Sequence, residues 1–301
     1  MRAPFASAAA MDDAYTKGEW PSADGLTLSF RDYDGGDVAA GRPVVLCLHG
    51  LTRNARDFDG LARHIARQGW RVVVPEMRGR GDSAYAEDSE TYAVPVYLGD
   101  LQGLMAQENI SRFVAIGTSM GGLMTMLMAA KDAGPIAGAL LNDIGPVLEQ
   151  EGLDHIRGYI GQSRSYPTWM HAARSLEETQ SDAHPGFDTE DWIAFAKRVM
   201  TLCSNGRITF DYDMKVAEPF LAADPDAPPP DLWPAFEALA DKPLVLVRGD
   251  RSNLLSEATF AEMQRRAPHA DAVTVRDTGH APTLDEPEVR MAIDALLASL
   301  A

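Results

Sequence analysis

The sequence predicts an α/β fold in which a mostly parallel central sheet is flanked by helices and interrupted by a helical insertion. Continuous apolar runs such as "PVVLCLHG" (43–50) are typical of parallel strands that are buried on both faces. These runs alternate with segments of helical apolar spacing such as "DFDGLARHIARQG" (57–69). Between about residues 146 and 240, strand signals become few and amphipathic segments dominate. This change of pattern indicates an insertion into one sheet.

The elements of the sheet can be placed in order along the chain. The run "LTLSFRDY" (26–33) alternates apolar and polar residues, which predicts an early edge strand. Further strands are predicted in the apolar runs "VVLCL", "RVVVPE", "RFVAIG", "IAGALLN", "PLVLVRG" and "DAVTV". Helices are predicted in "GLARHIARQ", "VPVYLGDLQGLMAQE", "GGLMTMLMAAKD", "SEATFAEMQRRA" and "EPEVRMAIDALLASL". We therefore assign residues 1–145 and 241–301 to the core and residues 146–240 to the inserted helical segment.

Composition and charge exclude several classes of protein. The chain is 46% hydrophobic and 24% charged, which is typical of a globular protein. Its formal net charge of −17 repels phosphate backbones and anionic lipid, so nucleic-acid and membrane-surface partners are not expected. The two cysteines, Cys47 and Cys203, are too few for a disulfide framework and do not match metal-ligand spacing. With no secretory signal recognised in the first residues, a cytoplasmic location is expected.

The stretch "GTSMG" places a serine between two glycines at the junction of a predicted strand and a predicted helix. This G-x-S-x-G pattern forms a sharp turn that lifts the serine hydroxyl above the sheet. Side chains two residues to either side of the serine would collide, which explains Gly117 and Gly121. The N-terminus of the following helix favours negative charge at the site. We predict Ser119 as a nucleophile.

A serine nucleophile needs a base, and the base needs a carboxylate that orients it. His280, in "DTGHAPTL", follows a predicted strand and therefore lies at the same edge of the sheet as Ser119. Asp143, in "LLNDIGP", and Asp250, in "VRGDRSN", also follow strands at that edge. From the residues alone, both aspartates are candidates for the orienting acid.

Taken in order, "HGLTRN", "GTSMGG", "LLNDIGP", "LVRGDRSN" and "TGHAP" resemble the α/β-hydrolase family, in particular its single-chain serine esterases with a helical cap. The resemblance extends from about Trp20 to the end of the chain. In many relatives the acid lies three or four residues beyond the glycine of the later strand, where this chain has Ser252 and Asn253. Other relatives carry it after the earlier strand, which corresponds to Asp143. We therefore favour Asp143 and keep Asp250 as the alternative.

The resemblance also implies the remaining parts of a catalytic site. The backbone N–H groups of Leu51 and Met120 are expected to form an oxyanion hole, and His49 is expected to order the loop rather than to react. The inserted segment, residues 146–240, is expected to form a cap over the site. Aromatic side chains of the cap are candidates for lining an acyl pocket: Tyr159, Tyr166, Trp169 and Trp192.

The predicted activity is hydrolysis of a small neutral or apolar carboxylic ester through an acyl-enzyme on Ser119, with His280 as the base. We expect neither a metal nor an organic cofactor, and we expect a small molecule as the substrate. Alternatives are cleavage of a C–C bond in a vinylogous diketone, hydrolysis of a lactone or thioester, and a ligand-binding receptor on the same fold. Dehalogenase chemistry is disfavoured because its nucleophile would be an aspartate in place of the serine. The sequence makes no prediction of oligomeric state.

Overall fold

The computed structural model describes residues 15–39, 41–224 and 228–301. The prediction made for the first residues of the chain lies outside these ranges. Up to residue 142, the described residues form six strands: β1 (Thr16–Pro21), β2 (Thr27–Tyr33), β3 (Val44–Leu48), β4 (Val72–Glu76), β5 (Phe113–Thr118) and β6 (Ile136–Asn142). Three α-helices accompany them: α1 (Asp59–Arg67), α2 (Val94–Gln107) and α3 (Met120–Lys131).

The rest of the chain contains the inserted segment and the end of the core. The inserted segment contains α4 (Gln150–Tyr159), β7 (Ser165–Tyr166), α5 (Trp169–Gln180), α6 (Thr189–Val199), β8 (Met200–Leu202), β9 (Ile208–Phe210), α7 (Ala217–Ala222) and α8 (Trp233–Glu237). The core then continues with β10 (Leu244–Gly249), α9 (Glu257–Arg266), β11 (Asp271–Val275) and α10 (Pro287–Ala298). No helix of the described residues is long and apolar enough to cross a membrane.

The central sheet has eight strands in the order β1-β2-β4-β3-β5-β6-β10-β11. All neighbouring pairs from β4 to β11 are parallel, while β2 is antiparallel to both β1 and β4. The predicted mostly parallel sheet is therefore confirmed. The edge strand differs from the prediction, because β1 lies outside β2. In β1 only Trp20 is buried, so this strand carries no apolar alternation that the sequence could reveal.

The strands at the centre of the sheet explain why their sequences are continuous apolar runs. Along β5, Phe113 and Ala115 belong to the hydrophobic core on one face, whereas Val114 and Ile116 belong to the core on the other face. Successive side chains of a strand point to opposite faces, so a strand covered on both faces needs an apolar residue at every position.

The register of the central strands brings three loops together at one edge. Thr118 at the end of β5 pairs with Asn142 at the end of β6, and Asn142 pairs with Val247 of β10. The residues that follow these parallel strands therefore leave the sheet side by side. Ser119, Asp143 and the end of β10 at Gly249 lie at this edge for that reason.

The inserted segment contains strands as well as helices. β7, β9 and β8 form a small antiparallel sheet, and the purely helical prediction for residues 146–240 missed it. These strands are two or three residues long, which is too short for a detectable period of two. α5 and α6 pack around a separate apolar cluster that includes Leu176 and Trp192. At the end of the segment, α8 instead packs on the core, where Phe236 is fully buried.

Hydrogen bonds attach the cap, residues 146–240, firmly to the core. The Arg56 guanidinium donates to the carbonyl oxygen of Arg198 at 3.0 Å and forms an ion pair with Asp211 at 2.6 Å. On the other side of the site, the Gly279 N–H donates to the Ala183 carbonyl at 2.7 Å. The loop that precedes His280 is therefore held directly by the cap.

Candidate active site

Ser119 occupies a strained turn between β5 and α3. Its φ is +52°, in the region that residues with side chains rarely adopt. A Cβ atom added to Gly117 would lie 2.5 Å from the Gly121 backbone, and one added to Gly121 would lie 2.0 Å from the Leu48 carbonyl oxygen. The two glycines are therefore required by the close approach of β3, β5 and α3. The turn is held by a 3.0 Å hydrogen bond from the Ser119 N–H to the Asn142 carbonyl.

The structure brings the predicted nucleophile, base and acid together from three separate loops. The Nε2 atom of His280 lies 3.0 Å from the Oγ atom of Ser119. The Nδ1 atom of the same ring lies 2.7 Å from Oδ2 of Asp143. With Nδ1 donating to the carboxylate, Nε2 is free to accept the serine proton.

The Asp143 carboxylate is fully buried, with 0% of its side chain exposed. Burial of a charge is unfavourable unless hydrogen bonds compensate for the lost water. The Gly249 N–H donates to Oδ1 at 2.9 Å, and the Ser252 hydroxyl donates to Oδ2 at 2.6 Å. The Ser252 oxygen in turn accepts the Leu255 N–H at 3.1 Å, so its hydroxyl is oriented by the backbone. Ser252, at a position where the resemblance implies an acid in many relatives, here donates a hydrogen bond to the Asp143 carboxylate.

Asp250, the alternative acid, is placed differently. It is exposed, and its Oδ1 accepts the backbone N–H of Thr278 at 3.2 Å. Its own N–H donates to the Val275 carbonyl at 2.9 Å. Asp250 therefore orders the loop that leads to His280, and no hydrogen bond of the described chain joins its carboxylate to the imidazole.

His49 determines the direction of the Leu51 N–H group. The His49 Nε2 atom accepts the Met77 N–H at 3.0 Å, so the ring proton is on Nδ1, which donates to the Gly50 carbonyl at 2.7 Å. That carbonyl and the Leu51 N–H belong to one trans peptide group, in which the two point in opposite directions. Burial lowers the pKa of His49 to about 4, so the ring is neutral at pH 7. The ring thus holds the Leu51 N–H facing away from itself.

Arg80 also supports the loop of Leu51, and the sequence analysis did not single it out. Its guanidinium is fully buried and donates from Nε to the Leu51 carbonyl at 3.0 Å. Nη1 donates to the Tyr97 hydroxyl at 2.9 Å, while Nη2 is buried without a partner among the described residues. Within the described ranges, Arg80 forms no ion pair with a carboxylate. The only sequence signal was its place in "MRGRGDS", a glycine-rich loop at the same edge of the sheet.

Met120 is the first residue of α3 and follows Ser119 directly. The N–H groups in the first turn of a helix have no partner inside the helix, so this N–H is available at the site. The Met120 side chain is buried in the central core. Leu51, by contrast, is half-buried and borders the cavity described next.

A cavity lies between the core and the cap and contains Ser119 and His280 in its lining. Its apolar lining residues are Leu51, Phe58, Ile156, Tyr159, Leu176, Phe195, Val199, Phe210, Tyr212, Ala281, Pro282 and Leu284. Its polar lining residues on the cap are Gln162, Arg164, Tyr166, Ser175, Thr179, Gln180, His184 and Arg198. The mixed lining suits a ligand that has both an apolar and a polar part.

The four aromatic candidates of the cap separate into two pairs. Tyr159 and Tyr166 line the cavity, and Tyr166 also packs against the apolar cluster of the cap. The Tyr166 hydroxyl lies 2.8 Å from the Ser175 Oγ. Trp169 and Trp192 are absent from the lining and pack instead in the apolar cluster of the cap, where Trp192 is 2% exposed. The structure therefore does not bring Trp169 to the substrate space.

His184 is a cavity residue that the sequence analysis did not propose. It is 5% exposed, and its ring stacks on Phe187 at a centroid distance of 4.5 Å. Burial, followed by the charge of Arg53, lowers its pKa to about 3, so the ring is neutral at pH 7. In the part of the chain that the structure describes, no group of three or more His, Cys, Asp or Glu side chains could hold a metal ion.

The chain is similar to known hydrolases over nearly its whole length. A model described as the alpha/beta hydrolase family matches residues 45–294. A crystal structure of an alpha/beta hydrolase from Novosphingobium aromaticivorans superposes with a TM-score of 0.90 at 55% identity, covering 95% of this chain and 98% of that chain. The 3-hydroxybutyrate-oligomer hydrolase of Cupriavidus necator is 36% identical over 261 residues, which are 85% of this chain and 88% of that protein. The 2-(acetamidomethylene)succinate hydrolase of Mesorhizobium japonicum is 23% identical over 268 residues, which are 88% of this chain and 89% of that protein.

Proposed function

Because this chain belongs to the α/β hydrolase family, we propose that it is a serine carboxylic-ester hydrolase that works through an acyl-enzyme on Ser119. One observation carries the proposal. Ser119, His280 and Asp143 form an uninterrupted series of hydrogen bonds of 3.0 and 2.7 Å, and its acid end is fully buried. A serine–histidine contact by itself would not indicate a catalytic site. Burial of a charged carboxylate costs free energy, and here the buried carboxylate is held beside His280 by two further donors, which supports a catalytic role.

The proposed reaction begins with attack of the Ser119 Oγ on the ester carbonyl. His280 Nε2 takes the hydroxyl proton, and Asp143 holds the ring and stabilises the imidazolium that forms. The N–H groups of Leu51 and Met120 bind the oxygen as it becomes negatively charged, which is often the largest catalytic contribution. His280 then protonates the leaving alcohol. A water molecule, activated by the same histidine, hydrolyses the acyl-enzyme.

His49 and Arg80 act in this proposal through the loop that carries Leu51. The neutral His49 ring orients the peptide group that contains the Leu51 N–H. The positive charge of Arg80 lies behind the same loop, bonded to the Leu51 carbonyl. Both contacts exist before any substrate binds, and preorganised donors are more effective than donors that must reorient.

The substrate class is supported by the cavity and by one relative. The lining combines an apolar part with polar side chains from the cap. The relative at 36% identity is named for hydrolysis of 3-hydroxybutyrate oligomers, in which ester bonds join the units. We propose short-chain carboxylic esters, including esters of short hydroxy acids, as the substrates of this chain.

The central test is covalent labelling with a fluorophosphonate probe. We expect one label per chain, on Ser119, and Ser119→Ala should lose both the label and hydrolysis of p-nitrophenyl esters. Ser175→Ala is the matched control, because this serine also lines the cavity but lies on the cap; it should keep both. A label on another residue, or an active Ser119→Ala protein, contradicts the proposal.

The range of substrates is tested in the same assay. The screen contains p-nitrophenyl esters of graded chain length, a linear dimer of 3-hydroxybutyrate, a lactone and a vinylogous diketone. We expect the linear esters to give the highest kcat/KM. Preferential cleavage of the diketone would replace ester hydrolysis by C–C bond hydrolysis. Tight ligand binding without multiple turnover would instead indicate a receptor.

The expected cellular setting remains a prediction. Cys47 and Cys203 are both free thiols in the structure, which a reducing compartment permits. Cell fractionation tests the cytoplasmic location.

A further inference from the structure

The charge of the cavity is opposite to the charge of the chain. The chain has 44 acidic and 27 basic residues. The lining of the cavity nevertheless contains three arginines, Arg53, Arg164 and Arg198, and a single carboxylate, Asp57. An acidic protein that concentrates cations around its reactive serine offers a local attraction for a negatively charged ligand.

Two of the three arginines are already paired. Arg53 binds Asp57 through two hydrogen bonds of 2.6 and 2.7 Å. Arg198 donates to Asp285 at 2.7 Å, and the same carboxylate also binds Arg290 at 2.6 Å. Both ion pairs fix the position of a guanidinium beside the cavity.

Arg164 differs from the other two in its partner. It lies between α4 and β7 and is exposed. Its Nη2 donates to the Gln162 side-chain oxygen at 2.6 Å, which is a neutral acceptor. Among the described residues, Arg164 forms no ion pair with any carboxylate. A guanidinium has five N–H donors in a planar fork, and this geometry matches the two oxygens of a carboxylate.

Arg164 shares the cap lining of the cavity with other polar side chains. Gln162, Ser175, Thr179 and Gln180 belong to the same cap lining. The reactive Ser119 lies in the lining contributed by the core, close to apolar residues such as Leu51 and Pro282. A ligand with an ester at one end and a charged group at the other end would match both linings.

We propose that Arg164 binds a free carboxylate of the substrate, so that the enzyme prefers esters that carry their own carboxylate at the end remote from the scissile bond. Monoesters of dicarboxylic acids, which carry the free carboxylate on the acyl part, have this form. The inference rests on the proposed function and names its substrate class. It replaces the neutral ester expected from the sequence by an anionic one.

The test uses matched pairs of p-nitrophenyl esters. One series contains the p-nitrophenyl monoesters of succinate, glutarate, adipate and pimelate, and the other contains the same compounds with the free carboxylate capped as a methyl ester. The measured quantity is the ratio of kcat/KM for the charged ester to kcat/KM for its neutral counterpart. In the unmodified protein we expect this ratio to exceed one at the chain length that spans the cavity.

Arg164→Gln should lower the ratio about two- to fivefold, mainly by raising KM for the charged ester, as expected for an exposed ion pair. Arg174→Gln is the matched control, because Arg174 is exposed on α5 of the same cap but is absent from the cavity lining. It removes the same charge and should leave the ratio unchanged. Added salt should lower the ratio of the unmodified protein and should have less effect on Arg164→Gln.

The outcomes separate this inference from the proposed function. Suppose that hydrolysis depends on Ser119 but that Arg164→Gln and the unmodified protein have the same ratio of kcat/KM for charged and neutral esters. This result overturns the inference and does not affect the esterase proposal. If neither ester series is hydrolysed, calorimetry on Ser119→Ala compares the affinity for monomethyl adipate with the affinity for dimethyl adipate. The inference is supported if Ser119→Ala binds the monoester more tightly than the diester and if adding Arg164→Gln removes this difference. Equal affinity for the two compounds overturns the inference.

Discussion

The two walls of the cavity are built in different ways. On the core side, the Asp143 carboxylate is fully buried and is held by the Gly249 N–H and the Ser252 hydroxyl. On the cap side, Arg164 is exposed and is held by one side-chain hydrogen bond. Buried groups with several fixed partners lose little orientation when a reaction begins, whereas exposed long side chains can adapt to a ligand. In the proposed function, the core wall would perform the chemistry and the cap wall would select the substrate.

The origin of the difference lies in the backbone. The core groups follow strands whose register is set by the sheet, so their positions are determined by backbone pairing. The cap groups lie on short strands and helices that pack around a small separate cluster. We therefore expect substitutions in the core wall to reduce kcat for every substrate, and substitutions in the cap wall to change the preference among substrates.

The largest effect after loss of Ser119 is expected at the acid. Asp143→Asn keeps the shape but donates where a carboxylate must accept, which favours the wrong tautomer of His280. We expect kcat to fall roughly 10³–10⁴-fold, by analogy with the equivalent change in a serine protease. Asp250→Asn is the matched control and should stay within a few-fold of the unmodified protein.

Thermal unfolding must first establish that both variants are folded, because Asp250 accepts the Thr278 N–H and orders the loop before His280. If Asp250→Asn shows the large fall in kcat while Asp143→Asn stays active, the acid that orients His280 is the one after the later strand. In that case the hydrogen bond between Asp143 and His280 would serve stability rather than catalysis.

A smaller effect is expected at Ser252, which acts on the reaction through Asp143. Ser252→Ala removes the 2.6 Å hydrogen bond to Oδ2, and hydrogen bonds to charged groups contribute about 1.5–3 kcal/mol. Part of this will be recovered by rearrangement, so we expect kcat to fall about tenfold with KM unchanged.

The control for this substitution is Ser256→Ala. Ser256 is the N-cap of α9 and its side chain accepts the Thr259 N–H, so its removal should lower the free energy of unfolding by about 1 kcal/mol without changing kcat. Ser252→Thr, which keeps a hydroxyl, should restore part of the activity. A fall in stability with unchanged kcat in Ser252→Ala would assign this serine a purely structural role.

The smallest effect is expected at the cap aromatics. Tyr166 and Trp169 both pack against the apolar cluster of the cap, but of the two only Tyr166 also lines the cavity. Tyr166→Ala should change the ratio of kcat/KM between short and long acyl esters about two- to fivefold, because it alters the shape of the pocket. Trp169→Ala should leave this ratio unchanged and lower the melting temperature instead. If both variants keep the ratio of the unmodified protein, neither side chain selects the acyl group.

Much of the core could be predicted from local sequence patterns. Buried parallel strands need apolar residues on both faces, so β3, β5, β6 and β10 were recognisable from their composition alone. The turn at Ser119 was recognisable because steric exclusion at Gly117 and Gly121 acts over a few residues. His280 was selected because parallel topology places residues that follow strands at one edge. These inferences depend on local sterics and on the direction of strands.

Tertiary structure alone decided which groups meet at that edge. Asp143 and Asp250 both follow strands there, and only the register and the direction of each side chain separate them. The same holds for Ser252, whose hydroxyl meets Asp143 across 109 residues of sequence. Such contacts depend on packing between distant segments, and no local pattern encodes them.

The cap shows this limit most clearly. The strand β7 has two residues, so its sequence carries no period, and the helical pattern of α5 does not reveal which neighbour each face will cover. Tyr166 and Trp169 are alike in the sequence and both pack against the cluster of the cap, yet only Tyr166 also lines the cavity. The pairing of charges is equally non-local. Whether a cavity arginine such as Arg164 finds a carboxylate depends on which distant segments fold beside it, because an ion pair requires approach to within about 4 Å.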